Sequence, residues 1–164
     1  MNISYDFMTT GRLKIFLNIG REMPDNKGLP KDELERRVND SLLKLTVVTM
    51  SQIGSYSLYR EATKGNDVLL EESWQGELAS LAQKVEKAGL VVNRALLEER
   101  TFNRNFTDFL GYCLRNGQLA STSPGKLQIN SERILDTSSV GYFSNPVYYC
   151  HNEFKTLLGS DLVY

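Results

Sequence analysis

The fold of this chain is decided by residues 103–130, NRNFTDFLGYCLRNGQLASTSPGKLQIN. In its first half the apolar residues recur three or four positions apart, which is the spacing of one face of an α-helix. That buried stripe is predicted to consist of Phe106, Phe109, Leu110, Cys113 and Leu114. Gly117 is the expected end of the helix, and two short alternating segments around Ser-Pro-Gly-Lys follow it. The stretch therefore predicts a helix that leads directly into a β-hairpin near 118–130.

Two further helices are predicted immediately before this unit. Residues 73–90, SWQGELASLAQKVEKAGL, place Ser73 at the expected N-cap and end at Gly89. The core face of that helix is predicted to be Trp74, Leu78, Leu81 and Val85. Residues 50–65, MSQIGSYSLYREATKG, predict a helix after a break near 46–50, with Thr46 or Thr49 as the cap. Two helices followed by a helix that enters a hairpin are typical of a winged-helix-like unit.

The flanking segments add strands and more helix. Residues 12–20, RLKIFLNIG, alternate between apolar and polar side chains, which predicts a strand with Leu13, Ile15, Leu17 and Ile19 on its buried face. An exposed loop is expected over 21–30, and a helix from near Pro30 with the apolar face Leu34, Val38, Leu42 and Leu45. Residues 139–158 are helical in pattern except at Asn145-Pro146.

These patterns predict an α+β, mainly helical fold with N-terminal strands, four to five helices and one β-hairpin in a winged-helix-like arrangement. A chain of 164 residues suits a single domain over 1–164. Within it, residues 1–24 form a strand segment and loop, and residues 30–164 form the helical part with the hairpin.

Charge and composition exclude several functional classes. The chain has 19 basic and 20 acidic residues, and the helix before the hairpin sets Arg104 and Arg115 against Asp108, so no nucleic-acid partner is predicted. No apolar run is long enough for a transmembrane segment, and the start MNISYDFMTTGRLK is not a signal peptide. Cys113 and Cys150 are expected to be buried thiols rather than a disulfide, which favours the cytoplasm or the cytoplasmic face of a membrane.

Few residues offer chemistry. His151, the only histidine, is adjacent to Cys150 and two residues from Glu153, and neither position shares its helix face. We therefore predict a helix residue near the surface that is dispensable for activity, since a Cys–His pair would require Cys113. Asp6, at a strand end, and Arg21-Glu22, at the next strand end, are candidate ligand-binding residues. No metal site and no cofactor are predicted, because the histidine and two separated cysteines form no ligand set and no glycine-rich phosphate loop occurs.

Four stretches resemble the C-terminal part of a glycerol-3-phosphate acyltransferase of the long membrane-associated type. They are NISYD (2–6), GRLKIFLNIGREM (11–23), LLKLTVVTMSQIGSYSLYREATKG (42–65) and residues 106–149. The last stretch includes a Tyr-[YF]-x-Asn motif, matched by Tyr142, Phe143, Ser144 and Asn145. The catalytic His-x4-Asp pair of that family is absent, because the residue five positions after His151 is Thr156.

The resemblance implies a non-catalytic C-terminal portion of an acyltransferase-like protein of phospholipid biosynthesis. It implies no activity for this chain alone, a partner that is an acyltransferase catalytic domain or another protein, and peripheral association with a membrane. Two alternatives stay open at this point. One is an independent interaction or regulatory module with a winged-helix-like core, and the other is a small enzyme of unrecognised type.

Overall fold

The computed structural model describes residues 2–6, 14–18, 28–138 and 145–159, together with Met8. The elements of these residues, in chain order, are β1 (Asn2–Asp6), β2 (Lys14–Asn18), α1 (Lys31–Lys44), α2 (Met50–Thr63), β3 (Val68–Leu70), α3 (Glu71–Lys87), α4 (Glu99–Arg115), β4 (Leu119–Ser123), β5 (Lys126–Ile129), α5 (Ser131–Leu135) and α6 (Pro146–Leu158). A 3-10 turn at Arg94–Leu96 joins α3 to α4. The α+β, mainly helical fold class is confirmed, with α5 as a short helix that the sequence pattern did not reveal.

A three-stranded antiparallel sheet completes the winged-helix-like arrangement. Strands β4 and β5 form the predicted hairpin, and β3, which comes from between α2 and α3, pairs with the other side of β5. The strand order is therefore β3-β5-β4, with Leu69 opposite Leu127 and both side chains buried. The N-terminal strands β1 and β2 form a separate antiparallel pair, in the register Asn2 to Asn18 and Asp6 to Lys14.

The junction between α4 and the hairpin follows the predicted pattern. Phe106, Phe109 and Cys113 are buried on α4, whereas Leu114 is only half-buried. The helix ends where Gly117 adopts a positive φ of 70° and the Gln118 amide donates to the Cys113 carbonyl over 3.0 Å. A positive φ costs glycine little, so this turn aims the chain from the helix into β4.

Helix α2 lies at the centre of the core. Eleven of its fourteen residues are buried, and it contacts α3, α4, α5 and, most extensively, α6. A Cβ atom on Gly54 would lie 2.4 Å from Cε1 of Phe109, so the backbone of α2 approaches α4 more closely than any other residue would allow. Buried side chains from Met8 to Leu158 join one contiguous apolar cluster around this helix.

Besides the half-buried Leu114, three details of the sequence prediction are wrong. Helix α3 begins at Glu71, directly after β3, so Ser73 lies within its first turn and is not the cap. The buried stripe of α3 contains Ala82, whereas Leu81 is half-buried, because the face turns with the 3.6-residue period. Leu34 on α1 is exposed. The side chains of Leu42 and of the β2 strand lie outside the described residues, so those expectations stay predictions.

The close approach at Gly54 predicts opposite effects for two Gly→Ala changes within helices. In Gly54→Ala, overpacking against Phe109 should destabilise the fold by roughly 1–3 kcal/mol. The higher helix propensity of alanine should offset about 1 kcal/mol of that loss. Gly76→Ala on α3 is the matched control, because nothing lies within 4 Å of its added Cβ, and it should stabilise by up to about 1 kcal/mol. Urea unfolding of both variants measures the difference, and equal stabilisation by the two would contradict the close helix packing.

Candidate functional site

His151 lies on the face of α6 that packs against α2, and only 8% of its surface is exposed. The prediction of a histidine near the surface is therefore wrong. Its imidazole stacks on the ring of Tyr59, with centroids 4.0 Å apart, and lies nearly parallel to the ring of Tyr56 at 5.5 Å. The two tyrosines are three residues apart on α2 and so present the same face to the imidazole.

This environment holds the imidazole neutral at physiological pH. Burial lowers the pKa of His151 to about 4, and the positive charge of Lys155 acts in the same direction. The Nδ1 atom of His151 is buried and has no hydrogen-bond partner among the described residues. A base with so low a pKa is poorly matched to proton abstraction near neutral pH, because efficient bases titrate close to the working pH.

The two cysteines are buried, as the sequence predicts, and no disulfide joins them. Burial raises the pKa of the Cys113 thiol far above its usual range. Because the thiolate is the reactive form, this cysteine is a poor nucleophile. The remaining Cys–His pairing that the sequence left open is thus not supported by the chemistry of Cys113.

Glu153, the carboxylate two residues after His151, ties α6 to the start of α2. Its Oε2 accepts a hydrogen bond of 2.7 Å from Nε2 of Gln52, and Oε1 of Gln52 accepts one of 2.8 Å from the amide of Thr49. Burial raises the pKa of Glu153, and the hydrogen bond from Gln52 opposes that rise. Thr49 is the N-cap of α2, as the sequence allowed, so the carboxylate belongs to a structural chain of hydrogen bonds at the helix start.

Asn145, the last residue of the Tyr-[YF]-x-Asn motif, connects α5 to α6. Its Oδ1 accepts from the amide of Tyr148 over 3.1 Å and so caps α6. Its Nδ2 donates to the carbonyls of Ile134 over 3.0 Å and Asp136 over 2.8 Å, at the end of α5. The side chain is buried and directed at the backbone, which is a structural role.

The other predicted site residues are not brought together in the described part of the chain. Asp6 ends β1, where its backbone pairs with Lys14, and its side chain lies outside the described residues. Arg21, Glu22 and Tyr142 also lie outside them. Those assignments stay predictions.

A pocket of about 340 Å³ lies between α2 and α6. Its walls combine three rings and three cations: Tyr56, Tyr59, His151, Arg60, Lys64 and Lys155. One wall of this pocket could have been predicted from the sequence, since Tyr56, Tyr59, Arg60 and Lys64 fall three or four positions apart and so share one face of α2 and its C-cap. The sequence could not show that α6 supplies the other wall.

Comparison with protein-family models, with curated proteins and with solved structures finds no match for this chain. Over the described residues, no group of three or more His, Cys, Asp or Glu side chains is placed to hold a metal ion. Within the same ranges, no helix combines the length and the apolar character needed to cross a membrane.

The buried imidazole predicts an acid-sensitive component of stability. Its folded pKa of about 4 lies below the ordinary value of 6.5, so the unfolded chain binds more protons between these values. Stability from this residue is therefore complete above about pH 6.5 and is lost as the pH falls towards 4. His151→Phe keeps a ring in the stack but cannot titrate, so it should lose less stability on acidification, by an amount on the order of 1 kcal/mol after solvent screening.

Urea unfolding of both proteins from about pH 7 to about pH 4 measures this difference. Glu153 and Glu61 titrate in both proteins, so their contributions cancel in the comparison. Parallel stability profiles would show that His151 is not desolvated by the tyrosines.

Proposed function

We propose that this chain is a non-catalytic C-terminal portion of a glycerol-3-phosphate acyltransferase-like protein of phospholipid biosynthesis. The proposal that the chain is non-catalytic rests on the environment of His151, the only histidine in the sequence. Its ring is stacked on tyrosine between two helices and burial lowers its pKa to about 4, so it is a poor match for the base that acyl transfer to a hydroxyl requires near neutral pH.

The order of the elements supports the assignment to a C-terminal portion. The resemblance implied a strand, a second strand, helices and then a helix followed by a two-stranded hairpin. The described chain has β1, β2, α1 and α2, and then α4 leading into β4 and β5, in that sequence. Asn145 of the resembling motif anchors α6 to α5, so this residue contributes to the fold.

The proposal predicts that the purified chain transfers no acyl group from a long-chain acyl-CoA to glycerol-3-phosphate. Loss of a general base alone typically costs about 10²- to 10⁴-fold in rate. A thiol-release assay should show no rate above the enzyme-free reaction, and His151→Gln should leave that result unchanged. Turnover that His151→Ala abolishes would overturn the proposal.

The partner that the proposal implies is an acyltransferase catalytic domain at the cytoplasmic face of a membrane. A separately purified catalytic domain with the His-x4-Asp motif, taken from the same genome, should form a stoichiometric complex with this chain. Light scattering after size-exclusion chromatography measures it. Two species that elute independently at micromolar concentration would argue against this partner.

The alternative is an independent interaction or regulatory module, and the charge of α4 favours it over a nucleic-acid-binding one. In a winged-helix arrangement this helix is the usual reader of DNA. Its three arginines, Arg100, Arg104 and Arg115, are opposed by two acidic residues, Glu99 and Asp108, which leaves a net charge of one. So small a net charge gains little from counterion release on DNA, so a protein partner is favoured. A specific partner that contains no acyltransferase domain would support this alternative.

A further inference from the structure

We propose that the pocket between α2 and α6 binds a phosphomonoester, with Arg60, Lys64 and Lys155 around the phosphate and the Tyr59 ring beside the organic part. This inference goes beyond the proposed function and does not depend on it. It rests on the pocket's residues and their charges alone.

The first argument is an excess of positive charge. Glu61 of α2 pairs with both Arg60 of the same helix and Lys64, its C-cap residue. Lys64 Nζ lies 2.9 Å from Glu61 Oε1, and Arg60 Nε lies 3.3 Å from the same oxygen. Burial alone would raise the pKa of Glu61, but hydrogen bonds from Lys64 and Asn66 outweigh it and lower the pKa, so the carboxylate stays ionised. The single carboxylate of Glu61 thus forms ion pairs with both Lys64 and Arg60.

The third cation comes from α6. Lys155 is exposed at the pocket and makes no ion pair within the described part of the chain. Arg60 also reaches Glu77 of α3, but at 3.6 Å and through a carboxylate that is 55% exposed. The three cations of the pocket therefore face Glu61 and, at a longer distance, Glu77, which leaves an excess of one positive charge. A phosphomonoester carries about −1.5 to −2 charges near neutral pH and is attracted by this excess.

The second argument concerns the aromatic floor. Tyr59 and His151 stack at 4.0 Å, and the buried Nδ1 of His151 finds no hydrogen-bond partner in the described part of the chain. A volume of about 340 Å³ accommodates a small ligand rather than a lone ion. Guanidinium and ammonium groups next to flat rings suit a ligand that has a phosphate at one end and an organic group at the other.

The charge argument predicts the pH dependence of binding. The ionisable groups that line the pocket are Tyr56, Tyr59, Arg60 and Lys64 from α2 and its C-cap, and His151 and Lys155 from α6. The carboxylates beside them are Glu61, which pairs with Arg60 and Lys64, and Glu77 of α3, which pairs with Arg60, whereas Glu153 is engaged with Gln52. His151 stays neutral above about pH 5. The ligand itself loses its second negative charge below about pH 6. Affinity should therefore fall on acidification, and affinity that rises instead would show that protonated His151 is the binding group and overturn the proposal.

Calorimetric titration with phenyl phosphate tests the site, and phenyl sulfate is the matched probe with the same ring, the same tetrahedral anion and one charge fewer. Phenyl phosphate should bind more tightly than phenyl sulfate. Lys155→Gln should raise the dissociation constant about tenfold, because it removes a charge-assisted contact. Lys126→Gln on the hairpin is the control and should leave the constant unchanged. Equal affinity for the two probes, no binding at millimolar concentration, or equal effects of the two lysine changes would each overturn the proposal.

Vesicle flotation identifies the source of the phosphomonoester. Binding to phosphatidic acid vesicles that Lys155→Gln abolishes, with no binding to phosphatidylserine vesicles, would support the site and assign it to a lipid headgroup. Binding of phenyl phosphate without vesicle binding would support it for a free metabolite. Equal binding to both anionic lipids would overturn it, because that pattern reflects surface charge alone.

Discussion

Asn145→Asp should lower the free energy of unfolding by about 3–5 kcal/mol, although it replaces one amide nitrogen by one oxygen. The Nδ2 atom of Asn145 donates to the carbonyls of Ile134 and Asp136 at the C-terminal end of α5, where the bond to Ile134 is buried and the bond to Asp136 is partly buried. An aspartate oxygen in that place faces two acceptors, so both carbonyls lose their donor and a buried negative charge is repelled. Each unsatisfied buried acceptor costs about 1–3 kcal/mol.

The control for this prediction is Asn130→Asp. Asn130 caps α5 through an accepted hydrogen bond of 3.2 Å from the amide of Arg133, and its side chain is exposed. Aspartate keeps that acceptor and adds a negative charge at a helix start, so its effect should stay within about 0.5 kcal/mol. Urea or thermal unfolding compares the two variants. If they are equally stable, the amide of Asn145 does not hold α5 to α6.

Trp74→Ala should cost about 3–5 kcal/mol, since Trp74 is the largest buried side chain of α3. Its ring meets Phe106 edge to face with centroids 5.4 Å apart and lies 6.1 Å from the ring of Phe109. Its Nε1 donates to Oγ of Ser57 over 3.0 Å, so the ring joins α3 to both α2 and α4. Removal leaves a cavity and an unpaired hydroxyl at the same point.

Two further variants separate these causes. Trp74→Phe keeps most of the ring but removes the indole donor, and should cost less than Trp74→Ala. Leu81→Ala, on the half-buried side of the same helix, should cost clearly less than the 2–5 kcal/mol of an enclosed leucine. A loss for Leu81→Ala equal to that for Trp74→Ala would show that the buried stripe of α3 is assigned to the wrong face.

The spacing of apolar residues along the chain was sufficient to predict the elements that depend on neighbouring residues alone. Helices α2, α3 and α4 follow from apolar spacing, and the β4–β5 hairpin follows from alternation around Pro124-Gly125. Gly117 ends α4 because a positive φ suits glycine, a property of one residue. The small net charge of α4 was likewise visible in composition and spacing.

The local pattern failed where a distant segment supplies the partner. Strand β3 has three residues, too few to show an alternation, and exists because β5 pairs with it. The start of α3 at Glu71 follows from that pairing, which is why Ser73 is not the cap. The role of Asn145 was similarly hidden, since its acceptors lie on α5 and none of them is part of the motif that drew attention to the residue.

The sequence by itself determined the mainly helical class, the helix-to-hairpin unit and the lack of a catalytic motif around His151. Only the tertiary structure decided the state of that histidine. Helical spacing separates it from Cys150 and Glu153, but it cannot tell whether the ring meets water or another helix. The packing of α6 on α2 buries the imidazole between tyrosines and depresses its pKa. The same packing places Lys155 beside Arg60 and Lys64, because a pocket between two helices depends on how distant segments meet.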